Sequence, residues 1–541
     1  MTWYMRTKTL NFSRWFFPVG LFLLGGMQSS LAAFPQVCPG YMDADYYYHV
    51  GVQLVTGQGF TQQVIWNFLD QPKNLPTLSN TYWMPLASIL SATSMYIGGN
   101  TDFFTARSIF ILLSACVPVI TYLLAKSLGG NEKNSLLAGG ISVLSGFYFP
   151  FLSTTDTFSI FMVLGGIYFF CAARQMGERY RKGELFLWGV TCGLLHLCRV
   201  EGILWLAGAF IGWSWLGVRR FYQEKVQFRL TRIFSGLAWL AAGYLLIMGF
   251  WYIRNFQLFG AFFPPGNSKS LWLTMYEDIF IFPSSYITLE RWINLELFTH
   301  LEARFDALIT NIQTFIAVQC EIIFLPFVIV GYYLKRHLTW VTLAGLLWLV
   351  IFGLMSLIFP FAGKNGGFFH SGAAFQPLIW GLGMIGLEES VNRLIIWRKW
   401  QKIDQVHRFF AGLVFSVCCL LSLLAFVQKN YTLGEFSWNR SYLHYQQVEN
   451  ILSQYDGSKK GVVMVNNPPG YYVAAERPAI VIPFGDIEML MTAAKFYNVK
   501  FVVLEDRNPG QLKPVYDFPA GFPNLNYLGD LEGTRLFEVN E

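Results

Sequence analysis

Charge is scarce in this sequence. Of its 541 residues only 13% are Asp, Glu, Lys or Arg, against roughly 25% in an ordinary soluble domain. A water-soluble chain of this length needs more charge to cover its surface, so the excess apolar residues face something else, and repeated long apolar runs identify it as lipid. Cysteine is equally sparse. Of eight, Cys116, Cys171, Cys192, Cys198, Cys320, Cys418 and Cys419 lie in or beside apolar runs, which leaves Cys38 alone in an expected aqueous loop. One loop cysteine closes no intramolecular disulfide and suggests no metal cluster, which excludes a secreted disulfide scaffold. A net charge of +6 excludes a nucleic-acid binder driven by basic charge.

What is abundant is apolar: 54% hydrophobic and 18% aromatic residues. Runs of spanning character fall at 15–34, 103–127, 135–151, 157–173, 185–198, 202–217, 233–253, 311–334, 338–360, 373–391 and 409–427. They predict a polytopic α-helical membrane protein of about eleven spans, although several runs are shorter than the ~20 residues a perpendicular helix needs. Pro85 to Gly98 is shorter and rich in Ser and Thr, and reads as an interfacial helix. Charge then sorts by side. With the N-terminus cytoplasmic, the connections 1–14, 126–134, 174–184, 218–232, 335–337 and 388–408 hold 21 Lys and Arg against 7 Asp and Glu, a net +14 that leaves −8 elsewhere. That is the positive-inside asymmetry, and eleven spans put the C-terminus outside. The first run has a rival reading as a cleavable signal peptide, with Arg14, the core Trp15 to Met27 and the small residues Ser29 to Ala33.

Three regions on the outer face are large enough for chemistry: loops 35–102 and 254–310, and the tail 428–541. The division expected is a transmembrane domain, 1–427, and an extracytoplasmic α/β domain, 428–541. In the tail, Val462 to Val465, Ala479 to Pro483 and Lys500 to Glu505 read as strands, and Asp486 to Tyr497 has helical spacing.

The few ionisable residues at the outer ends of the spans stand out. Asp43 and Asp45 follow the first span in Pro39-Gly40-Tyr41-Met42-Asp43-Ala44-Asp45-Tyr46-Tyr47-Tyr48-His49. Carboxylates there can deprotonate a hydroxyl or hold a divalent cation; on a helix the two diverge by about 200°, so one faces a site and the other caps or faces away. Asp156, in the short outer loop Ser153 to Phe158, is a second membrane-edge carboxylate or a helix N-cap. Arg199 and Glu201 form the turn between two short spans, where a buried charge needs a partner or a ligand. His196, nearby, reads as a packing residue. Arg254 emerges from a span and either clasps a phosphate through its planar fork or snorkels to lipid headgroups. Lys364 and His370 lie in Lys364 to Gly372, with a phosphate as their natural ligand. Gly381-Leu382-Gly383-Met384-Ile385-Gly386 matches a dinucleotide pattern by letter, but no strand precedes it, so it reads as small-residue helix packing.

These features together resemble the GT-C superfamily of polytopic glycosyltransferases. They are an outer aspartate after the first span, a second in the next outer loop, the Arg254-Asn255…Phe259-Gly260…Pro264-Pro265 segment and an outer α/β tail. The nearest group is family 39, which includes protein O-mannosyltransferases and lipid A aminoarabinose transferases. The resemblance implies a multi-pass protein of a bacterial inner or plasma membrane. It implies transfer of a sugar from a polyprenyl-phosphate carrier, with inversion, to a protein, lipid or polysaccharide acceptor at the outer face. Asp43, with Asp45 as second choice, is then the catalytic base, and Asp156 the second acidic residue. Asp43 and Asp156 are the ligands of any divalent metal. Arg254, Lys364 and His370 contact the carrier phosphate, with Arg199, Glu201 and Tyr46 lining the site. No nucleotide and no nucleic acid is required. The sequence has Asp-Ala-Asp where an Asp-Glu pair is common, and Gly-Phe-Phe-His-Ser-Gly where an Arg-Tyr…Pro segment is common. The alternative is a transporter or flippase of lipid-linked saccharides, for which interior ionisable residues and interrupted helices are expected; the sequence pattern displays neither.

The charge partition is checked by labelling intact cells with a membrane-impermeant maleimide. Lys495→Cys reacts at once and Lys402→Cys only after permeabilisation; the reverse order overturns the orientation.

Overall fold

A computed structural model describes residues 15–176, 181–223, 230–431, 437–506 and 510–540. The basic segment 1–14 and parts of the inner connections 174–184 and 218–232 lie outside the described residues, as does residue 541. Among the described residues seven helices are long and apolar enough to cross a membrane: Phe16–Ala33, Phe103–Ser127, Thr157–Gln175, Val200–Val218, Thr231–Phe259, Thr339–Ile358 and Ile403–Tyr431. Each matches one expected run. The other four runs are helical but fall short. Residues 135–151 form helix Glu132–Leu144, which ends at Ser145 and Gly146 with φ +58 at both, and then a 3₁₀ turn. Lys182–Cys198 has 17 residues, and Gln376–Arg398 carries charge in its second half.

The run 311–334 corrects the expectation of uninterrupted helices. Helix Leu297–Thr314 passes into a π-helical turn, Phe315–Gln319, and the chain then breaks before Leu325–Lys335. Glu321 and Ile322 take φ +46 and +60 at the break, a left-handed conformation costly for residues with a Cβ. The Glu321 side chain is buried there and accepts a hydrogen bond from Trp380 Nε1 at 2.9 Å. An interior carboxyl at an interrupted helix is therefore present after all.

Glycines set the helix packing. A Cβ on Gly331 would strike the backbone of Leu382, and one on Gly386 that of Phe327. Helices 325–335 and 376–398 thus touch backbone to backbone, the small-residue role expected of Gly386. Cys38 is buried rather than in water, and all eight cysteines are free.

The three outer regions fold together. Short strands β1 (Thr61–Gln62) and β3 (Thr77–Leu78) pair with each other, while β2 (Val64–Ile65) joins a sheet built mainly by the tail. The tail contributes β4 (Val462–Val465), β5 (Ala479–Val481), β6 (Val499–Leu504), β7 (Leu525–Leu531) and β8 (Thr534–Val539), in the order β2-β5-β4-β6-β8-β7. The first four in that order are parallel and the β7–β8 hairpin is antiparallel. Period-2 alternation divides the side chains. Met464, Ile480 and Val502 pack on helix Ile487–Tyr497 together with Phe68 and Phe282 from the two outer loops; Val463, Val465, Phe501 and Val503 pack on helices Arg440–Leu452 and Pro468–Ala475.

Arg477, fully buried, ties this layer together. It donates to Glu449 from Nε and Nη2 at 2.8–3.2 Å and to Asp456 Oδ2 at 2.8 Å. Removing one member of such a cluster strands the others without water. Arg477→Met is expected to destabilise the tail by about 3–5 kcal/mol, read as faster amide exchange in β4 and β6; unchanged exchange contradicts it.

Candidate active site

The site begins where the first span ends. Helix C-termini leave carbonyls without partners, and here the buried Arg107 supplies them: its Nη2 donates to Ala33 O at 2.7 Å and its Nη1 to Gln36 O at 2.9 Å. From the exit of the last span, Asn439 brackets the same stretch through Pro35 O and Val37 N, and Trp438 Nε1 donates to Cys38 O at 2.8 Å. Gly40, at φ +94, sits against the Trp438 indole where a Cβ would collide. The chain is thereby aimed into helix Met42–Val55, with Asp43 and Asp45 in its first turn, where the helix dipole favours negative charge.

The two carboxylates diverge as the i, i+2 spacing requires. Asp43, with a quarter of its side chain exposed, turns to the membrane helices: its Oδ2 lies 3.7 Å from His370 Nε2. Asp45 is buried and turns to the tail, where Asn467 Nδ2 approaches its Oδ2 at 3.5 Å. Asp156 is the helix N-cap and faces the histidine as well. Its Oδ1 accepts from the Thr157 amide at 2.5 Å as the N-cap of span Thr157–Gln175, and its Oδ2 accepts from the Tyr41 hydroxyl at 2.6 Å and faces His370 Nε2 at 3.1 Å. His370 stands on the short helix Phe368–Ala373 with its ring stacked on Phe158. Its Nδ1 lies 2.9 Å from Gly366 O. A carbonyl only accepts, so Nδ1 carries the hydrogen and Nε2 is turned to both carboxylates.

Ligand atoms of Asp43, Asp156 and His370 all lie within 4.8 Å of one another. The donor set fits a divalent cation: two carboxylates, and an imidazole whose Nδ1–H on a carbonyl is the usual orienting bond of a metal-ligating histidine. Burial and mutual charge shift all three groups. Burial, and then the Asp156 charge, push the Asp43 carboxyl up. Burial works to raise Asp156 as well, but the His370 charge, the His370 and Tyr41 hydrogen bonds and the Thr157 amide outweigh it and hold that carboxyl low. Burial opposes charge on His370, and the neighbouring Asp156 overrides it and raises the imidazole.

A second cluster adjoins the first. Arg199 Nε donates to Glu201 Oε1 at 2.5 Å, and Ser371, next to His370, donates to the same oxygen at 2.6 Å. Among the described residues the Arg199 guanidinium donates to no other group, and its charge is felt at Asp43 and Tyr47. The expected ion pair is present, with a serine that links it to the histidine.

The remaining candidates stand apart. Arg254 donates to Asn255 Oδ1 and Ser79 O and lies over the rings of Trp251 and Phe60. It reaches the site only through its charge on Tyr46, whose hydroxyl accepts from the Asn80 amide at 2.6 Å. Lys364 pairs with Asp306 at 2.5 Å, so its charge is already balanced. His370, expected beside Lys364 as a phosphate contact, sits on the carboxylates instead. His196 packs as expected and pairs through Nδ1 with the Tyr244 hydroxyl at 2.6 Å. Sequence reasoning passed over the roles of Tyr41, Ser371 and Arg107. Tyr41 was within the quoted motif, but nothing local distinguishes its hydroxyl from those of the neighbouring tyrosines.

No protein-family model matches the sequence, and no curated protein does. Solved structures do match. ArnT from Cupriavidus metallidurans, solved bound to undecaprenyl phosphate, aligns with a TM-score of 0.57 at 10% identity over 96% of this chain and 97% of that one. The apo oligosaccharyltransferase of Archaeoglobus fulgidus gives 0.54 at 14% identity over 91% and 70%. The AglB oligosaccharyltransferase of the same organism, in complex with an inhibitory peptide and a dolichol-phosphate, gives 0.51 at 13% identity over 91% and 69%. At these identities the likeness is one of fold: this chain shares its fold with ArnT and with the archaeal oligosaccharyltransferase.

Proposed function

We propose that this protein is a glycosyltransferase that moves a sugar from a polyprenyl-phosphate carrier to an acceptor hydroxyl or amide at the outer face of the membrane. All eleven apolar runs cross in this reading, and the 428–541 tail lies outside. The observation that carries it is the meeting of Asp43, Asp156 and His370 from three separate parts of the chain at the outer end of span Thr157–Gln175, with Arg199 beside them. A carrier phosphate made elsewhere needs no nucleotide loop. Its prenyl tail stays in the bilayer, and only its head must reach this edge.

The chemistry follows from placement. Asp43, the least buried of the trio, takes the acceptor proton as the acceptor atom bonds to the anomeric carbon, and the bond from that carbon to the phosphate oxygen breaks. The leaving phosphate keeps the electron pair and is neutralised by cationic side chains. Arg199 is the first of these, since Glu201, itself bonded by Ser371, holds it near Asp43; Arg254, without a carboxylate partner among the described residues, would first have to turn from Asn255 and Ser79. Lys364 would first have to leave Asp306. Asp156 and His370 act on Asp43 through charge. Asp43, Asp156 and His370 are the residues that would hold a divalent cation, which would supply Lewis-acid charge. Attack opposite the departing phosphate inverts the anomeric centre.

One observation favours a second reading, a flippase of lipid-linked saccharides: the interrupted helix at 320–324 with its buried Glu321. A matching interruption in a paired half of the chain would be expected, and the break that follows Leu144 carries no interior carboxyl of its own.

Purified protein is assayed with polyprenyl-phosphate sugars. Asp43→Asn and Asp156→Asn are each expected to lower kcat at least about 100-fold. Full activity in both overturns the mechanism, and absence of transfer from every donor, with sugar-lipid movement in vesicles, favours the flippase. Arg199→Lys is expected to raise KM for the carrier more than Lys364→Ala does, because a lysine cannot bond Glu201 and phosphate with one planar fork; the opposite ranking returns the phosphate to Lys364.

A further inference from the structure

The helix that carries Asp43 has a second face, which the proposed reaction leaves unexplained. Asp45, His49 and Gln53 recur at i, i+4 and i+8 and so form one stripe. All three are polar, yet they are only 5%, 1% and 6% exposed. What covers them is the tail, through helix Pro468–Ala475 and the residue that caps it. Asn467 caps that helix by accepting from the Gly470 amide at 3.0 Å, and its Nδ2 turns to Asp45. The His49 ring packs on Tyr472 with centroids 4.2 Å apart, and its Nε2 accepts the Gln63 amide just before β2. Gln53 is a polar partner of the Tyr472 hydroxyl.

An apolar seam tolerates sliding by a fraction of a residue, whereas a buried polar seam is satisfied in one register only, because each displaced group loses its partner without gaining water. Asp43 stands two residues from Asp45 on the same rigid helix. We infer that the tail is a positioning element for the Asp43 carboxylate: the seam of Asp45, His49 and Gln53 against Asn467, Gly470 and Tyr472 fixes the rotation of helix 42–55. Asp45 is then a positioning residue and takes no part in bond making. Gly470 is the point of closest approach, since a Cβ there would lie 3.0 Å from Asp45 Oδ2 and closer still to the Asn467 amide. The inference rests on the glycosyltransferase reading for its kinetics but not for its geometry.

The full-length protein is tested as Gly470→Ala, Asp45→Leu and Asp45→Asn beside Asp43→Asn. A displacement of the base by about 1 Å costs on the order of 100-fold in rate, so Gly470→Ala and Asp45→Leu are expected to lower kcat at least about tenfold while the donor KM stays within about twofold. Asp45→Asn, which keeps a polar group of the same shape, recovers most of that loss. Amide exchange supplies a readout independent of any donor: Gly470→Ala loosens residues 42–55 and leaves β4 and β6 protected. Unchanged exchange over 42–55 overturns the inference even in a protein that transfers no sugar, and so does loss of protection throughout the tail, which marks a folding defect. Asp45→Asn as inactive as Asp43→Asn overturns it too, by making Asp45 a reacting group. Failure of the wild type with every donor counts against the glycosyltransferase reading and leaves the exchange result to decide the seam.

Discussion

Asp156 is a carboxylate buried at the start of a long apolar helix where water does not reach it, and an ion in that position persists only if each oxygen is bonded. One oxygen takes the amide at the start of a span; the other takes Tyr41 from the first outer loop and faces His370 from far along the chain. Meeting that need draws together the exit of the first span, the loop before the span it caps and the short helix of His370. Asp43 arrives with Tyr41, two residues away. The same demand recurs one layer away, where Glu201 is satisfied by Arg199 and by Ser371, the neighbour of His370. Two buried acids thus grip one short helix from two sides.

That short helix is reached through irregular backbone. Two π-helical turns, 315–319 and 354–358, and a kinked turn, 363–367, lie along the approach to it, and irregular backbone within a membrane is tolerated where protein or a cavity covers it. Gly366, at φ +107, sits in the last of these turns and presents the carbonyl that fixes the His370 ring. Loss of regular helix here gives the histidine an orientation that the turn spacing of an unbroken span would not supply.

Outside the membrane, the tail is joined to the two outer loops by shared core and shared sheet. Val64 and Ile65 extend the tail's parallel sheet, and Phe68 and Phe282 fill one of its faces. The same tail also packs on the helix that bears Asp43, through Asn467 against Asp45 and Tyr472 against His49.

Much of this was legible in the residues. The seven long spans, the strands beginning at Val462 and Ala479, the helix ending at Tyr497 and the divergence of Asp43 from Asp45 follow from periodicity, because burial in lipid or in a sheet imposes a fixed repeat. The β7–β8 hairpin was passed over, although Gly533 after Glu532, at φ +82 and +49, occupies the kind of tight turn that glycine marks. β2 was not legible, since two residues carry no alternation and owe their strand conformation to the partner strand. The break at Glu321 was hidden in an apolar run, because hydropathy registers composition and not backbone angle. Composition and charge alone determined that long apolar helices dominate the chain and which rare carboxylates stand near the ends of its apolar runs. Only the tertiary structure decided that His370 joins Asp43 and Asp156 while Lys364 turns to Asp306, because a pairing across 214 residues depends on how the helices pack, and no local repeat records that.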